Sequence, residues 1–186
     1  MKKINKHLNL VAQVQRDDGS IMHVHSQPVS ADLFDSHMDV LEKTYGHFMS
    51  NRNLMGLGAR LAHKRLLKIA KEMGPDKLDE VEKGLLPEIR RLTNVAVFSG
   101  KAWEQMLYQD AVDQKILSRE DIDEIEGKLV FFMAASHILQ RHERQAVMSG
   151  AMAMWDAQIS SLDFTAYLSS LPTSTAAENS GENKAA

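Results

Sequence analysis

Apolar residues alternate with polar ones only near the start of the chain. From about residue 30 onward they recur at spacings of three and four. Leu8, Leu10, Ala12 and Val14 alternate with Asn9, Val11, Gln13 and Gln15. The turn-forming run Arg16-Asp17-Asp18-Gly19-Ser20 comes next, and Ile21 to His25 resumes extended character. This is a β-hairpin pattern. Two strands alone are marginal in water, so the hairpin must lean on the helices or add to another chain's sheet. Ser30 is a suitable N-cap for a helix to about Asn51, with Phe34, Met38, Leu41, Tyr45 and Phe48 as one apolar stripe. A second helix is expected from Ala59 to Met73, stopped by Gly74-Pro75.

Two short helices are expected next, Asp76 to Lys83 and one opening at Pro87, separated by Gly84. Val95 to Phe98 is β-like but short, Ser99 to Trp103 reads as a loop, and Glu104 to Leu117 as a helix with Leu107, Ala111 and Ile116 inward. The stretch Ser118 to Arg141 is the expected centre of the fold. Ser118 and Asp121 have the spacing of a capping box, and Leu129 to Ala135 contains no polar residue, so it has no solvent face. A helix over Gln145 to Ile159 is expected through Met148, Met152 and Trp155. Ser161 is the expected cap of a last helix, Leu162 to Leu171, before Pro172.

These elements predict a mainly α fold: a compact multi-helix domain over 28–171, an N-terminal β-hairpin segment over 1–27 and a disordered tail over 172–186. The tail lacks aromatic residues and Val, Ile and Leu, and so has nothing to bury. Length is consistent with this, since 186 residues fit one domain and a tail. A net charge of −3 is too small to imply a dedicated polyanion partner. The absence of Cys removes disulfides and thiolate metal sites. The start Met1-Lys2-Lys3 lacks the apolar region of a secretory signal, and no stretch approaches a membrane span. A soluble, intracellular protein is expected.

Candidate chemistry is sparse. His23 and His25 share a strand face, but no third metal ligand is placed beside them. His137 and His142 are five apart, the wrong spacing for one helical face. Gly56-Leu57-Gly58 lacks the rest of a phosphate loop. The acids Asp121, Asp123, Glu124 and Glu126 suit a helix start and form no acid–base pair. Neither an enzyme nor a cofactor or metal is called for. Arg60, Lys64, Lys68 and Lys71 form a positive stripe without an acid between Arg52 and Lys71; a solvated face answered by the acids of 76–82 is the plainer reading. Eleven Met against six Phe and three Tyr makes the apolar content flexible, suited to core filling or to an adaptable binding surface.

Several segments resemble one family. Trp155-Asp156-Ala157-Gln158-Ile159-Ser160-Ser161-Leu162-Asp163-Phe164 and then Ser170 to Ala176 look like the C-terminal end of the tail assembly chaperones of long-tailed bacteriophages. Gly84 to Asn94, Val130 to Ser136, and the hairpin followed by Pro28-Val29-Ser30 and a Phe-rich helix are similar to the same family. The resemblance implies a non-enzymatic factor acting in the host cytoplasm. Such a factor binds the tape measure protein, helps recruit tail tube protein and is left out of the virion. A longer frameshifted product is common in that group, and the end at Glu182-Asn183-Lys184 is where one could be joined. An adaptable apolar strip for a helical partner is then expected at Met148, Met152, Met154 and Trp155, with Arg60, Lys64 and Lys68 second, and self-association when the partner is absent. A membrane partner is not expected and nucleic acid is disfavoured. The alternative is a virion structural protein, such as a head-tail connector or tail completion protein, whose hairpin joins a neighbour's sheet.

Overall fold

A computed structural model of the chain describes residues 8–16, 19–50, 59–99, 102–139, 146, 148–150 and 152–171. The hairpin forms as the alternation predicts, with β1 at Asn9–Gln15 and β2 at Ile21–Ser26. Gly19 supplies the positive φ of its turn. Neither edge of the hairpin is open. β3 (Thr93–Phe98) pairs antiparallel with β2, β4 (Trp103–Leu107) pairs with β3, and β5 (Ala157–Ser160) pairs with β1. The order is β4-β3-β2-β1-β5, so the hairpin supplies two inner strands of one antiparallel sheet.

The expectation of a mainly α domain is therefore corrected to a mixed α/β fold, in which a five-stranded antiparallel sheet is covered by helices. The region 104–107, read as helical, is strand, and so is 157–160 at the end of the predicted helix over 145–159. Of that helix, 148–150 and 152–153 are helical and 154–156 turn; Gln145 lies outside the described residues. Glu104, Gln105, Met106 and Leu107 are good helix formers, but pairing with the β-branched strand β3 overrides so weak a preference. Of the three residues expected inward there, Ala111 is buried and Ile116 partly buried, whereas Leu107 is 51% exposed.

The helices described over their whole length are α1 (Ala31–Ser36), α2 (Met38–Ser50), α3 (Arg60–Met73), α4 (Pro75–Glu80), α5 (Leu86–Arg91), α6 (Tyr108–Asp113), α7 (Arg119–Ile138) and α8 (Phe164–Ser170). Ser30 caps α1 by accepting from the Leu33 N–H at 3.2 Å. The predicted single helix to Asn51 is broken at His37, which leaves the helical region at φ −119°. Phe34, Leu41 and Phe48 are buried, but the break turns Met38 out of the stripe, 49% exposed. The predicted interruption at Gly84 is instead a π-turn over Val81–Leu85 that joins α4 to α5. There Leu86 N–H donates to Val81 O, and the widened turn accommodates Pro87, which has no N–H to donate.

The central helix is the one anticipated. Ser118 Oγ accepts from Asp121 N–H (3.1 Å) and Asp121 Oδ2 from Ser118 N–H (2.8 Å), closing the capping box. Every residue from Leu129 to Ala135 is buried. Burying Phe131 and Phe132 contributes roughly 2–3 kcal/mol each. α7 packs on α3, α2 and β1, and the core-facing side chains Leu10, Ala12, Val14, Met22, Val24 and Val95 meet it from the sheet. The last helix is capped by Asp163, which accepts from Ala166 N–H at 2.8 Å, not by Ser161. It lies on the sheet's other face, over His23 and His25. None of the described helices is long and apolar enough to cross a membrane. Gly56-Leu57-Gly58, Arg52, His142 and the tail over 172–186 lie outside the described residues.

Candidate partner-binding cleft

A cleft of about 320 Å³ opens where the start of α3, the first turns of α7 and the turn before β5 meet. Its position follows from one close approach. A Cβ on Gly127 would stand 2.6 Å from the amide nitrogen of Arg60, so only glycine lets the start of α3 lie against α7. Arg60 is thereby brought to the rim beside Glu120 and Glu124, which are one helical turn apart on α7. One turn further, Lys128 is buried and its Nζ donates to Glu124 Oε1 (2.6 Å) and to the Gln13 carbonyl (3.0 Å), locking α7 to β1.

The opposite wall is the turn Met154-Trp155-Asp156. Trp155 is buried edge-on against Phe131, with ring centroids 4.8 Å apart, and its backbone N–H donates to Met152 O at 2.9 Å. Asp156 sits at φ +51°, and its carbonyl accepts from Gln13 N–H at 3.0 Å. A left-handed backbone at a non-glycine residue costs of order 1 kcal/mol and reverses the chain within one residue. Met154 is consequently turned outward, 59% exposed, beside the cleft floor.

The seven candidate partner-binding residues thus separate. Arg60, Met154 and Trp155 converge on the cleft. Met148 and Met152 are fully buried in the core and present no surface in this structure. Lys64 pairs with Asp123 of α7 at 3.0 Å, and Lys68 lies 3.9 Å from Glu72. Among the described residues, Lys64 and Lys68 of the positive stripe are therefore answered by Asp123 and Glu72, and not by the acids of 76–82 as the sequence suggested. The cleft presents two cations and three carboxylates around an exposed thioether, a lining that suits a polar segment carrying one apolar side chain.

Two polar clusters were not legible as such. Glu126, read as one of the acids of a helix start, is buried between helices. Its carboxylate is 2.9 Å from His63 Nδ1, accepts from Arg90 at 2.8 and 2.7 Å, and accepts from Tyr108 OH at 3.3 Å. Burial pushes this carboxyl up, but the hydrogen bonds and charges of His63 and Arg90 outweigh it and hold it below its ordinary value. Burial, with the Glu126 charge beside it, raises the Tyr108 hydroxyl well above its ordinary range. Helix spacing gave no hint, because the partners come from α3, α5 and α6.

The second cluster is on the outer face of the sheet. His23 Nδ1 is 2.8 Å from Tyr167 OH, and its ring stands edge-on to Trp103 with centroids 4.7 Å apart. His25 Nε2 donates to Leu162 O at 3.0 Å, and Asn9 Nδ2 donates to the same oxygen at 2.8 Å. Burial lowers His23 to about 4 and lowers His25 as well, against the opposing pull of the Leu162 carbonyl and Asp163. The sequence placed the two histidines on one strand face correctly; what covers them is α8. His137 is 2.9 Å from Val29 O and stacks on Phe34. Among the described residues no group of three His, Cys, Asp or Glu is placed to hold a metal ion. Comparison with protein-family models, with curated proteins and with solved structures returned no match.

Proposed function

We propose that this chain is a non-catalytic assembly factor, a bacteriophage tail assembly chaperone that binds the tape measure protein and helps recruit tail tube subunits in the host cytoplasm. The observation that carries the reading is the wall of the cleft. Trp155 and Asp156, which open the segment resembling that family, are the residues whose burial and left-handed turn push Met154 out beside Arg60. An exposed thioether ringed by charges of both signs suits one turn of an amphipathic helix, the chemistry of a long helical partner.

The rival reading, a structural component of the particle, relied on the hairpin joining a neighbour's sheet. Both hairpin edges are occupied within the chain, by β3 and β5, so that route would require the sheet to come apart. Co-purification of the chain with tape measure fragments tests the proposal. Arg60→Glu and Met154→Asp should each weaken capture at least about tenfold while leaving the melting temperature unchanged. Equal capture by both variants would overturn the cleft as the binding site. Mass spectrometry of mature particles beside infected-cell lysate tests the class of protein: a fixed copy number in particles would overturn the chaperone reading.

A further inference from the structure

Lys43 and His47 are one turn apart on α2, and Arg65, Ile69 and Glu72 share a face of α3. Where the two helices pack, these residues and Met73 line an open hollow of about 310 Å³ that shares no residue with the cleft described above. Buried Ile69 and half-buried Met73 give it an apolar side. Its charges do not cancel. Among the described residues Lys64, Lys77, Lys83, Arg90, Arg91 and Lys128 each meet a carboxylate at ion-pair distance, whereas Lys43 and Arg65 meet none. Glu72, the acid on the lining, is 3.9 Å from Lys68 Nζ, which offsets it. Lys43 and Arg65 therefore leave the hollow with two positive charges.

The donors there are also in surplus. Arg65 is half-buried, and its Nη2 donates to His47 Nδ1 at 3.1 Å, while its Nε is buried without an acceptor among the described residues. A guanidinium can only donate, so His47 Nδ1 must accept and the ring is neutral with its proton on Nε2. Burial, with the charges of Arg65 and Lys68 beside it, lowers this imidazole below its ordinary value, against the pull of Glu72. A guanidinium drawn partly out of water with no carboxylate retains both charge and donors for an oxyanion. Two positive charges, a planar guanidinium, an ammonium and an imidazole N–H suit a tetrahedral dianion better than a carboxylate, which brings one charge.

We infer that Lys43, His47 and Arg65 form a phosphate-binding site in the groove between α2 and α3, which takes inorganic phosphate or a small phosphomonoester. The inference stands independently of the assembly role proposed above. Inorganic phosphate, phenyl phosphate and acetate, titrated calorimetrically into the full chain at low ionic strength and about pH 7.5, where phosphomonoesters are dianionic, test it. Both phosphates should bind at least about tenfold more tightly than acetate. Tighter phenyl phosphate would assign the site to a monoester whose organic part lies on Ile69 and Met73; equal or weaker phenyl phosphate would assign it to the free anion. Lys43→Gln and Arg65→Gln should each weaken phosphate at least about tenfold, and Lys83→Gln should leave it unchanged. Glu72→Gln removes the opposing charge and should tighten phosphate about threefold, a gain that misfolding cannot produce. The His47 ring proton signal should titrate at higher pH with phosphate present. Binding of neither phosphate, equal binding of acetate, affinity unmoved by Lys43→Gln and Glu72→Gln, or an unmoved His47 titration would each overturn the inference.

Discussion

Gly127 lies so close to the start of α3 that a Cβ added to it would meet the Arg60 amide nitrogen at 2.6 Å, and the obstacle is backbone. Gly127→Ala should therefore cost about 1–3 kcal/mol through displacement of α3, despite the roughly 1 kcal/mol that Ala gains over Gly in a helix. Gly46 in α2 meets nothing within 4 Å, so Gly46→Ala should stabilise by about 0.5–1 kcal/mol. Urea denaturation of the two variants gives opposite signs; equal effects would mean that α3 and α7 do not touch in this way.

Removing Glu126 leaves the Arg90 guanidinium and the His63 Nδ1 without their shared acceptor. Glu126→Ala should destabilise by about 3–5 kcal/mol. Tyr108→Phe, which loses only a 3.3 Å hydrogen bond, should cost about 1 kcal/mol or less. Chemical denaturation at neutral pH checks both. A mild Glu126→Ala would show that the cluster is solvated.

Acid should loosen the outer face of the sheet before it disturbs the interior. Burial lowers His23 from 6.5 to about 4, so the unfolded chain binds protons more readily than the folded one in that window. Stability conferred by neutral His23 is intact above pH 6.5 and declines as pH falls toward about 4, by up to about 3 kcal/mol. His25 acts in the same direction. Glu126, held low, contributes stability that is present above its ordinary value of 4.5 and is lost only on further acidification. His23→Gln should make the fall in melting temperature between pH 6.5 and 4.5 shallower, with His25 and His37 supplying what remains, and leave the later fall in place.

The methionines of the C-terminal part should divide by depth. Met148→Ala and Met152→Ala remove fully buried side chains and should each cost about 2–5 kcal/mol. Met154→Ala should change stability by no more than about 0.5 kcal/mol. Thermal melts of the three variants check this, and a costly Met154→Ala would place that residue inside.

What was legible in the sequence was what local chemistry decides. The capping box at Ser118 and Asp121, the dry run from Leu129 to Ala135, the hairpin and the Ser30 cap depend on neighbours within a few residues, and all appear as expected. Strands β4 and β5 depend instead on β3 and β1, which are supplied by other parts of the chain. Glu104, Gln105, Met106, Leu107, Ala157 and Gln158 prefer helix, and the strand-favouring Trp103 and Ile159 are too isolated to mark either strand. The cleft was half legible. Arg60, Met154 and Trp155 were among the candidates, but Met148 and Met152, expected with Met154 in one apolar strip, are buried in the core, because the helix ends at 153 and Met154 lies in the turn that follows.

The seat of β5 beside β1 has a consequence for synthesis on the ribosome. Asn9 Nδ2 finds its acceptor at Leu162, 153 residues further along. At about 5–20 residues per second, the β1 edge waits on the order of ten seconds or more before its neighbour is made. Through that interval β1 is paired with β2 but its other edge is open, and the four-stranded part β4-β3-β2-β1 can form ahead of β5. Folding of this protein is thus timed by translation of its last described strand, and a pause before Ala157 would lengthen the period in which a nascent chain is most open to capture by another.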